Sequence, residues 1–250
     1  MSIIPRKRSE ADIYHVMNRG VGRCIIFEDD GDRAKFLDLL ANVVEASCTR
    51  LHAWCLMDNH YHLLISVPYD DLPKIMQLLD AQYATYFNAR HKRDGRLFSG
   101  PYVSEPIESD EHFLVVLRYI HRNPVKAGMT ATCDYAWSSY REYLGRARLI
   151  NPELAMSLLS DEEGFLVFHE IDDESCSCID IGDDRAPHLL SDKQVLELAQ
   201  SILPGCSIEN LAGLPRVQRD EAIRTLEEAH LSIRQISRLT GIPKSTIARA

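Results

Sequence analysis

Two histidines separated by a single residue are the first feature of the sequence that could carry chemistry. His60 and His62 lie in the apolar run His60–Val67, and alternate residues of a β-strand point to the same face of a sheet. Two imidazoles on one face can bind one divalent metal ion. The pair could also be two histidines that only line a sheet face, because this short pattern alone has low specificity.

A tyrosine and an asparagine four residues apart form a second candidate pair. Tyr119 and Asn123 lie in a segment with helical periodicity, so both side chains would share one face of a helix. A phenol with an ordinary pKa of about 10 is a poor nucleophile at neutral pH unless a nearby metal ion assists the attack. Periodicity alone favours a simpler interpretation, a half-buried tyrosine followed by an asparagine that ends the helix before Pro124.

Positively charged residues are concentrated near position 93. Arg90, Lys92, Arg93 and Arg96 could follow a nucleic-acid backbone electrostatically. They could equally belong to a solvated loop. Arg19, at the end of a short strand candidate, is a further candidate for DNA binding.

The elements that would position these residues follow an α+β order. Asp58 and Asn59 suit a tight turn between two apolar strands. The predicted order β-α-β-β-α-(β)-α describes a small antiparallel sheet flanked by helices. The predicted strands are Tyr14–Arg19, Leu51–Met57 and His60–Val67, and the predicted helices are Asp32–Ser47, Leu72–Arg90 and Asp110–Val125.

The charge distribution divides the chain into three parts. The net charge of the 250 residues is −9, which by itself argues against a nucleic-acid partner. Residues 1–150 are neutral, however, and residues 151–190 carry a net charge of −10. A neutral domain can still present a basic groove. We therefore predict a domain at 1–150 that carries the candidate residues above, an acidic, lightly packed linker at 151–190, and a helical unit at 191–250.

The C-terminal segment Ser232–Ala250 has the pattern of a helix-turn-helix. Gly241 permits the turn. Lys244, Ser245 and Arg249 would lie on the second helix, where base and phosphate contacts are made in this motif. A packing or dimerisation role is the alternative, since other short helical hairpins share the pattern.

Composition indicates a protein of the cytoplasm. The chain has no run of about 18 apolar residues, so no membrane partner is expected. Its N-terminus lacks the apolar core of a secretory signal. Seven cysteines at irregular spacing indicate reduced thiols rather than a disulfide framework. No phosphate-binding loop is visible, so no nucleotide cofactor is expected.

Five ordered motifs resemble one known family. The series resembles the IS200-like, single-tyrosine transposases of the HUH type, and within them it looks most like the REP-associated tyrosine transposases. The resemblance covers roughly residues 10–145. Its motifs are Tyr14–Gly20, Leu56–Leu64, Leu97–Tyr102, Tyr119–Gly128 and Trp137–Tyr140.

The resemblance implies a ferredoxin-like or RRM-like sheet and a role for each matching residue. His60 and His62 match the histidine pair that holds Mg²⁺ or Mn²⁺, and Asn123 falls where a third ligand is placed. Tyr119 matches the nucleophile that forms a 5′-phosphotyrosine. Pro101 stands where family members commonly have a basic residue, so one phosphate contact is absent at that position.

The function implied is cleavage and transfer of single-stranded or hairpin DNA during transposition. The resemblance leaves open whether Tyr119 acts within its own subunit or across a homodimer. The alternative is a DNA-binding transcriptional regulator that keeps the fold but has lost the chemistry. A nicking enzyme of replication or conjugation ranks third, because such chains often carry a helicase region.

Overall fold

The structure is a computed structural model. It describes residues 7–145, 147–171, 199–200, 202–203, 208–228 and 233–247. The chain divides into two compact units, Met1–Pro187 and His188–Ala250. No helix in the described ranges is long and apolar enough to cross a bilayer.

The first unit is built on a four-stranded sheet with the strand order β2-β3-β1-β4. All three strand pairings are antiparallel. Asp58 and Asn59 form the predicted turn, since Met57 pairs directly with His60. The predicted α+β class, with a small antiparallel sheet flanked by helices, is confirmed. The strands are β1 (Ile13–Arg19), β2 (Arg50–Met57), β3 (His60–Ser66) and β4 (Val103–Pro106).

Two long helices cover one face of this sheet. Helix α1 (Asp30–Glu45) begins after Asp29, whose carboxylate accepts a hydrogen bond from the Asp32 amide. Helix α2 (Leu72–Arg90) has the predicted bounds. The rings of Phe36 and Tyr61 lie 4.8 Å apart, which shows that α1 packs on the face of β3 that carries Tyr61.

A third helix covers the opposite face. Helix α3 (Asp110–Lys126) begins where Ser109 accepts a hydrogen bond from the His112 amide, as predicted. Phe113, Val116 and Ile120 form its buried apolar stripe. The helix continues through Pro124 to Lys126, so Asn123 lies inside the last turn and does not end the helix.

The chain after α3 closes the outer edge of β2. The amide of Leu56 donates to the carbonyl of Trp137, and the amide of Ser139 donates to the carbonyl of Trp54. These bonds pair an edge strand that would otherwise be exposed. A short helix, α4 (Tyr140–Tyr143), follows this segment.

The beginning of the acidic segment is packed onto this unit. Residues 151–171 contain α5 (Glu153–Leu159) and α6 (Glu162–Glu170), where the charge pattern predicted a linker. Phe165 is fully buried, and its ring stacks on Tyr143 at 4.6 Å. Phe165 and His169 of α6 bury against α3 and α4, which outweighs the acidic composition. The remainder of the predicted linker, 172–190, lies outside the described residues.

The second unit has a small core of its own. A 3₁₀ helix (Ile208–Gly213) precedes α7 (Arg216–Glu228), α8 (Ile233–Thr240) and α9 (Lys244–Ile247). Ile223, Leu226, Ile236 and Ile247 are buried together. Gly241 has a φ of 70°, a conformation that favours glycine, and turns the chain between α8 and α9.

Candidate active site

The predicted histidine pair lies on the face of the sheet that α3 covers. Strand alternation and register place His60 and His62 on one side of β3, with Arg19 of β1 directly opposite His60. The two imidazole rings are nearly perpendicular, with centroids 4.9 Å apart. Both are buried, at 5% and 0% exposure. The sheet therefore presents two imidazoles side by side, as the sequence predicted.

Helix α3 places Tyr119 against this pair. The Tyr119 ring meets His62 edge-on, with centroids 5.6 Å apart and an angle of 87°. The ring of His15, from β1, lies 5.8 Å from Tyr119 in a similar edge contact. Tyr119 is 5% exposed. The predicted nucleophile and the predicted metal ligands are thus brought together from elements more than 50 residues apart in sequence.

Asn123 lies one helical turn after Tyr119 and is buried. Its amide nitrogen donates a 3.2 Å hydrogen bond to the Tyr119 carbonyl. Since the nitrogen is used in this bond, the amide oxygen is the atom that could serve as a ligand. The two residues lie on one helix face, as their spacing indicates.

The histidine pair has the donor atoms that a divalent metal needs. His60 Nδ1 lies 2.6 Å from Asn59 Oδ1, so Nδ1 carries the proton and Nε2 keeps its lone pair. His62 Nε2 is buried and has no hydrogen-bond partner in the described part of the chain. Burial, together with the charges of His60 and His15, lowers the pKa of His62 well below its usual range. A neutral imidazole with an unused buried nitrogen fits a metal ligand.

Among the described residues, no acid, thiol or further imidazole joins the histidine pair in a group that could hold a metal ion. Within the described ranges, no group of three or more histidine, cysteine, aspartate or glutamate side chains is placed to hold a metal ion. An amide oxygen is a ligand that hard cations such as Mg²⁺ accept. Asn123, on the helix that carries Tyr119, is consistent with that requirement.

Lys126, to which the sequence motifs assign no role, lies beside Tyr119. The Lys126 ammonium is 4.7 Å from the centroid of the Tyr119 ring, while its side chain is exposed. The seven-residue spacing within one helix could have indicated this contact, because residues seven apart share a face. The helix therefore brings a positive charge to the edge of the site.

His15 and Glu105 are two further site residues that the sequence analysis did not single out. His15 Nε2 lies 3.0 Å from His62 Nδ1, and His15 Nδ1 lies 3.8 Å from a Glu105 oxygen. Strand alternation could have placed His15 on the face of Arg19. Only the pairing of β1 with β3 brings it to His62.

The basic residues near position 93 have different environments. Arg90 is bound by the carboxylates of Asp29 and Asp32, at 2.7 Å and 2.6 Å. Its charge is compensated, which makes it a weak candidate for a phosphate contact. Arg93 lies over the Phe87 ring at 5.4 Å, and Arg96 lies 3.5 Å from the Ser99 carbonyl. These two guanidinium groups form no ion pair with a carboxylate in the described part of the protein.

The predicted DNA-binding residues of the C-terminal unit are described only in part. Lys244 and Ser245 lie in α9, but their side chains lie outside the described residues. Arg249 lies outside them entirely. The turn before α9 is well defined, since Ser237 Oγ donates a 2.7 Å hydrogen bond to the Ile242 carbonyl.

Comparison with known proteins identifies a family model and a solved structure to which the chain is similar. Residues 9–123 match the family model described as "Transposase IS200 like". The fold is similar to the structure of a REP-associated tyrosine transposase bound to a REP hairpin, with 17% identity, a TM-score of 0.50 and coverage of 61% of this chain and 90% of that chain. No curated protein matches the chain. The segment that carries His60, His62 and Tyr119 therefore belongs to the IS200-like transposase family.

Proposed function

We propose that this protein is a metal-dependent single-stranded DNA endonuclease and strand transferase that acts on hairpin or repeat DNA in transposition. The observation that carries the proposal is the edge contact between Tyr119 and His62. It brings a phenol to His62, whose ring lies beside that of His60 in a pair suited to one metal ion. The membership of this segment in a transposase family supports the same conclusion.

The reaction is a transesterification. The Tyr119 oxygen attacks the scissile phosphorus and loses its proton. The bond between phosphorus and the 3′ oxygen breaks, and that oxygen takes up a proton to become a free 3′-hydroxyl. The product is a 5′-phosphotyrosine, which keeps the energy of the phosphodiester bond. A second 3′-hydroxyl can reverse the step, so rejoining needs no nucleotide cofactor.

His60, His62 and Asn123 would hold Mg²⁺ or Mn²⁺. When bound, such an ion polarises the scissile phosphate and stabilises the negative charge of the transition state. The protein fixes the ligand geometry in advance, because Asn59 orients His60 and the burial of His62 keeps it neutral. Lys126 supplies a further positive charge near the reacting phosphate.

The substrate is single-stranded or hairpin DNA. Tyr119 is only 5% exposed and lies between α3 and the sheet. A phosphate in a stacked duplex is held away from such a recessed site, whereas an unpaired strand can bend into it. The structural relative bound to a REP hairpin supports this substrate class. Arg19, Arg93 and Arg96 are the residues proposed to contact the backbone.

Covalent trapping tests the proposal. A labelled library of hairpin-bearing single strands is incubated with Mg²⁺ or Mn²⁺ and separated on a denaturing protein gel. We expect label on the wild-type protein, none on Tyr119→Phe, and a strongly reduced amount on His60→Ala. An adduct on Tyr119→Phe would refute the role of this tyrosine. DNA binding without an adduct under either metal would favour a regulator with the same fold.

A further inference from the structure

A chain of three polar side chains crosses the sheet beneath the candidate nucleophile. His62 on β3, His15 on β1 and Glu105 on β4 lie on the same sheet face, because His15 pairs with Glu105 across the β1–β4 ladder. His15 Nε2 lies 3.0 Å from His62 Nδ1. His15 Nδ1 lies 3.8 Å from Glu105 Oε2, which is an electrostatic contact rather than a hydrogen bond.

These contacts determine which ring nitrogen of His15 and of His62 carries the proton. A carboxylate favours a proton on the nearest ring nitrogen, so Glu105 favours the tautomer of His15 that is protonated at Nδ1. His15 Nε2 is then an acceptor. The hydrogen bond between the two rings requires a donor, and His62 Nδ1–H supplies it.

This arrangement of protons also determines the state of the other ring nitrogen of His62. With its proton on Nδ1, His62 has its lone pair on Nε2, and this is the buried atom without a hydrogen-bond partner in the described residues. A metal ligand of this kind is commonly oriented through its second nitrogen by a carboxylate or another acceptor. Here a histidine stands between the carboxylate and the ligand.

We infer that His15 and Glu105 are positioning residues that hold His62 in the tautomer with a lone pair on Nε2, and so prepare the site for a divalent metal. This inference rests on the metal site of the proposed function. It assigns a role to β4, which otherwise contributes no residue to the site. The His15 ring meets the Tyr119 ring edge-on, but the hydrogen bond of His15 is made to His62, so the effect of His15 and Glu105 is on metal affinity.

The first test is the tautomer itself. Long-range ¹H–¹⁵N spectra of the metal-free full-length protein, labelled at histidine, distinguish an imidazole protonated at Nδ1 from one protonated at Nε2. His62→Gln identifies the resonances. We expect His62 to be protonated at Nδ1. A His62 protonated at Nε2 would overturn the inference.

The second test is binding of Mn²⁺ alone, followed by electron paramagnetic resonance. We expect His15→Phe to weaken Mn²⁺ binding by about 10- to 100-fold, the range seen when an outer-shell partner is lost. His15→Gln should recover part of the affinity, since its amide oxygen can accept from His62. Glu105→Gln should have a smaller effect in the same direction. His112→Ala is the matched control, because His112 also lies 3.9 Å from Glu105.

The outcomes separate this inference from the proposed function. Unchanged Mn²⁺ affinity in both His15→Phe and Glu105→Gln, with the covalent adduct intact, would refute the positioning role alone. Metal binding that responds as expected, with no adduct in the wild type, would refute the proposed reaction alone. Absence of Mn²⁺ binding in the wild type would refute both. If His15→Phe does not fold, the Mn²⁺ affinity of Glu105→Gln and the tautomer of His62 in the wild type still test the positioning role.

Discussion

The ammonium of Lys126 lies over the ring of Tyr119, with 4.7 Å between the nitrogen and the ring centroid. Both residues belong to α3, so the contact is fixed by the helix and does not depend on DNA. In the proposed reaction, a cation in this position would stabilise the negative charge that develops at the phosphate during attack.

Lys126→Met should therefore slow adduct formation by about 10- to 100-fold, the range expected for losing one interaction with a charged group. Lys126→Arg should retain most of the rate. The measurement is single-turnover adduct formation at saturating DNA. Because the side chain is exposed, thermal stability should be unchanged. Equal rates for Lys126→Met and the wild type would show that this charge has no part in the reaction.

The arginines near position 93 should differ in whether they contribute to protein stability or to DNA binding. Arg90→Ala removes a partner of the fully buried Asp32 carboxylate and should lower the free energy of unfolding by about 1–3 kcal/mol. Arg93→Ala and Arg96→Ala should instead weaken binding of single-stranded DNA and each reduce the salt slope by about 1. Fluorescence anisotropy at several salt concentrations measures this slope. A reduced slope in Arg90→Ala would contradict the assignment of that residue to stability.

Helix α6 should contribute to the stability of the first unit. Phe165→Ala should lower the free energy of unfolding by about 3–5 kcal/mol, because the ring is fully buried between α3 and α4. Val167→Ala, on the same helix but 55% exposed, is the matched control and should change it by less than about 0.5 kcal/mol. Urea denaturation measures both. Similar small effects would mean that the acidic segment is a linker after all.

Acidification should release the contact between α3 and α6. His169 Nδ1 donates to the Phe165 carbonyl, so its Nε2 must accept from His121 Nδ1, and a second proton on His169 would face that N–H group. Burial lowers the pKa of His169 to about 4 and that of His121 well below its usual range.

The direction of the pH effect follows from these shifts. The unfolded chain binds a proton at each of these histidines below pH 6.5, whereas folded His169 binds one only near pH 4 and burial holds the pKa of folded His121 well below its usual range. The free energy of unfolding should therefore decrease as the pH is lowered from 6.5 to 4, by up to about 1.4 kcal/mol per pH unit for each histidine. His169→Gln should show a shallower slope in urea denaturation across this window. An identical slope would show that His169 does not titrate in this way.

The C-terminal unit should add affinity for DNA without taking part in cleavage. Replacing both Lys244 and Arg249 by alanine should weaken binding of duplex DNA at low salt. The rate of adduct formation on saturating hairpin DNA should be unchanged. An electrophoretic mobility assay measures the first, and covalent trapping the second. Unaltered duplex binding would favour a packing or dimerisation role for α8 and α9.

Local rules of the chain determined a large part of the fold and of the site. Strand alternation was enough to put His60 and His62 on one face, and the Asp58-Asn59 turn fixed the hairpin that carries them. Helical spacing predicted that Tyr119 and Asn123 share a face, and the sequence pattern predicted that α3 begins at Asp110. Each of these depends on residues within a few positions of one another.

Tertiary structure decided the contacts between distant parts of the chain. His15 and His62 are 47 residues apart, and their hydrogen bond exists because β1 lies between β3 and β4 in a particular register. Arg90 is compensated by Asp29 and Asp32 only because α1 and α2 lie side by side. Composition predicted a linker at α6, yet burial of Phe165 holds it in place. Such contacts depend on how the elements pack. Burial of apolar surface and strand pairing stabilise contacts between residues that no local sequence pattern connects.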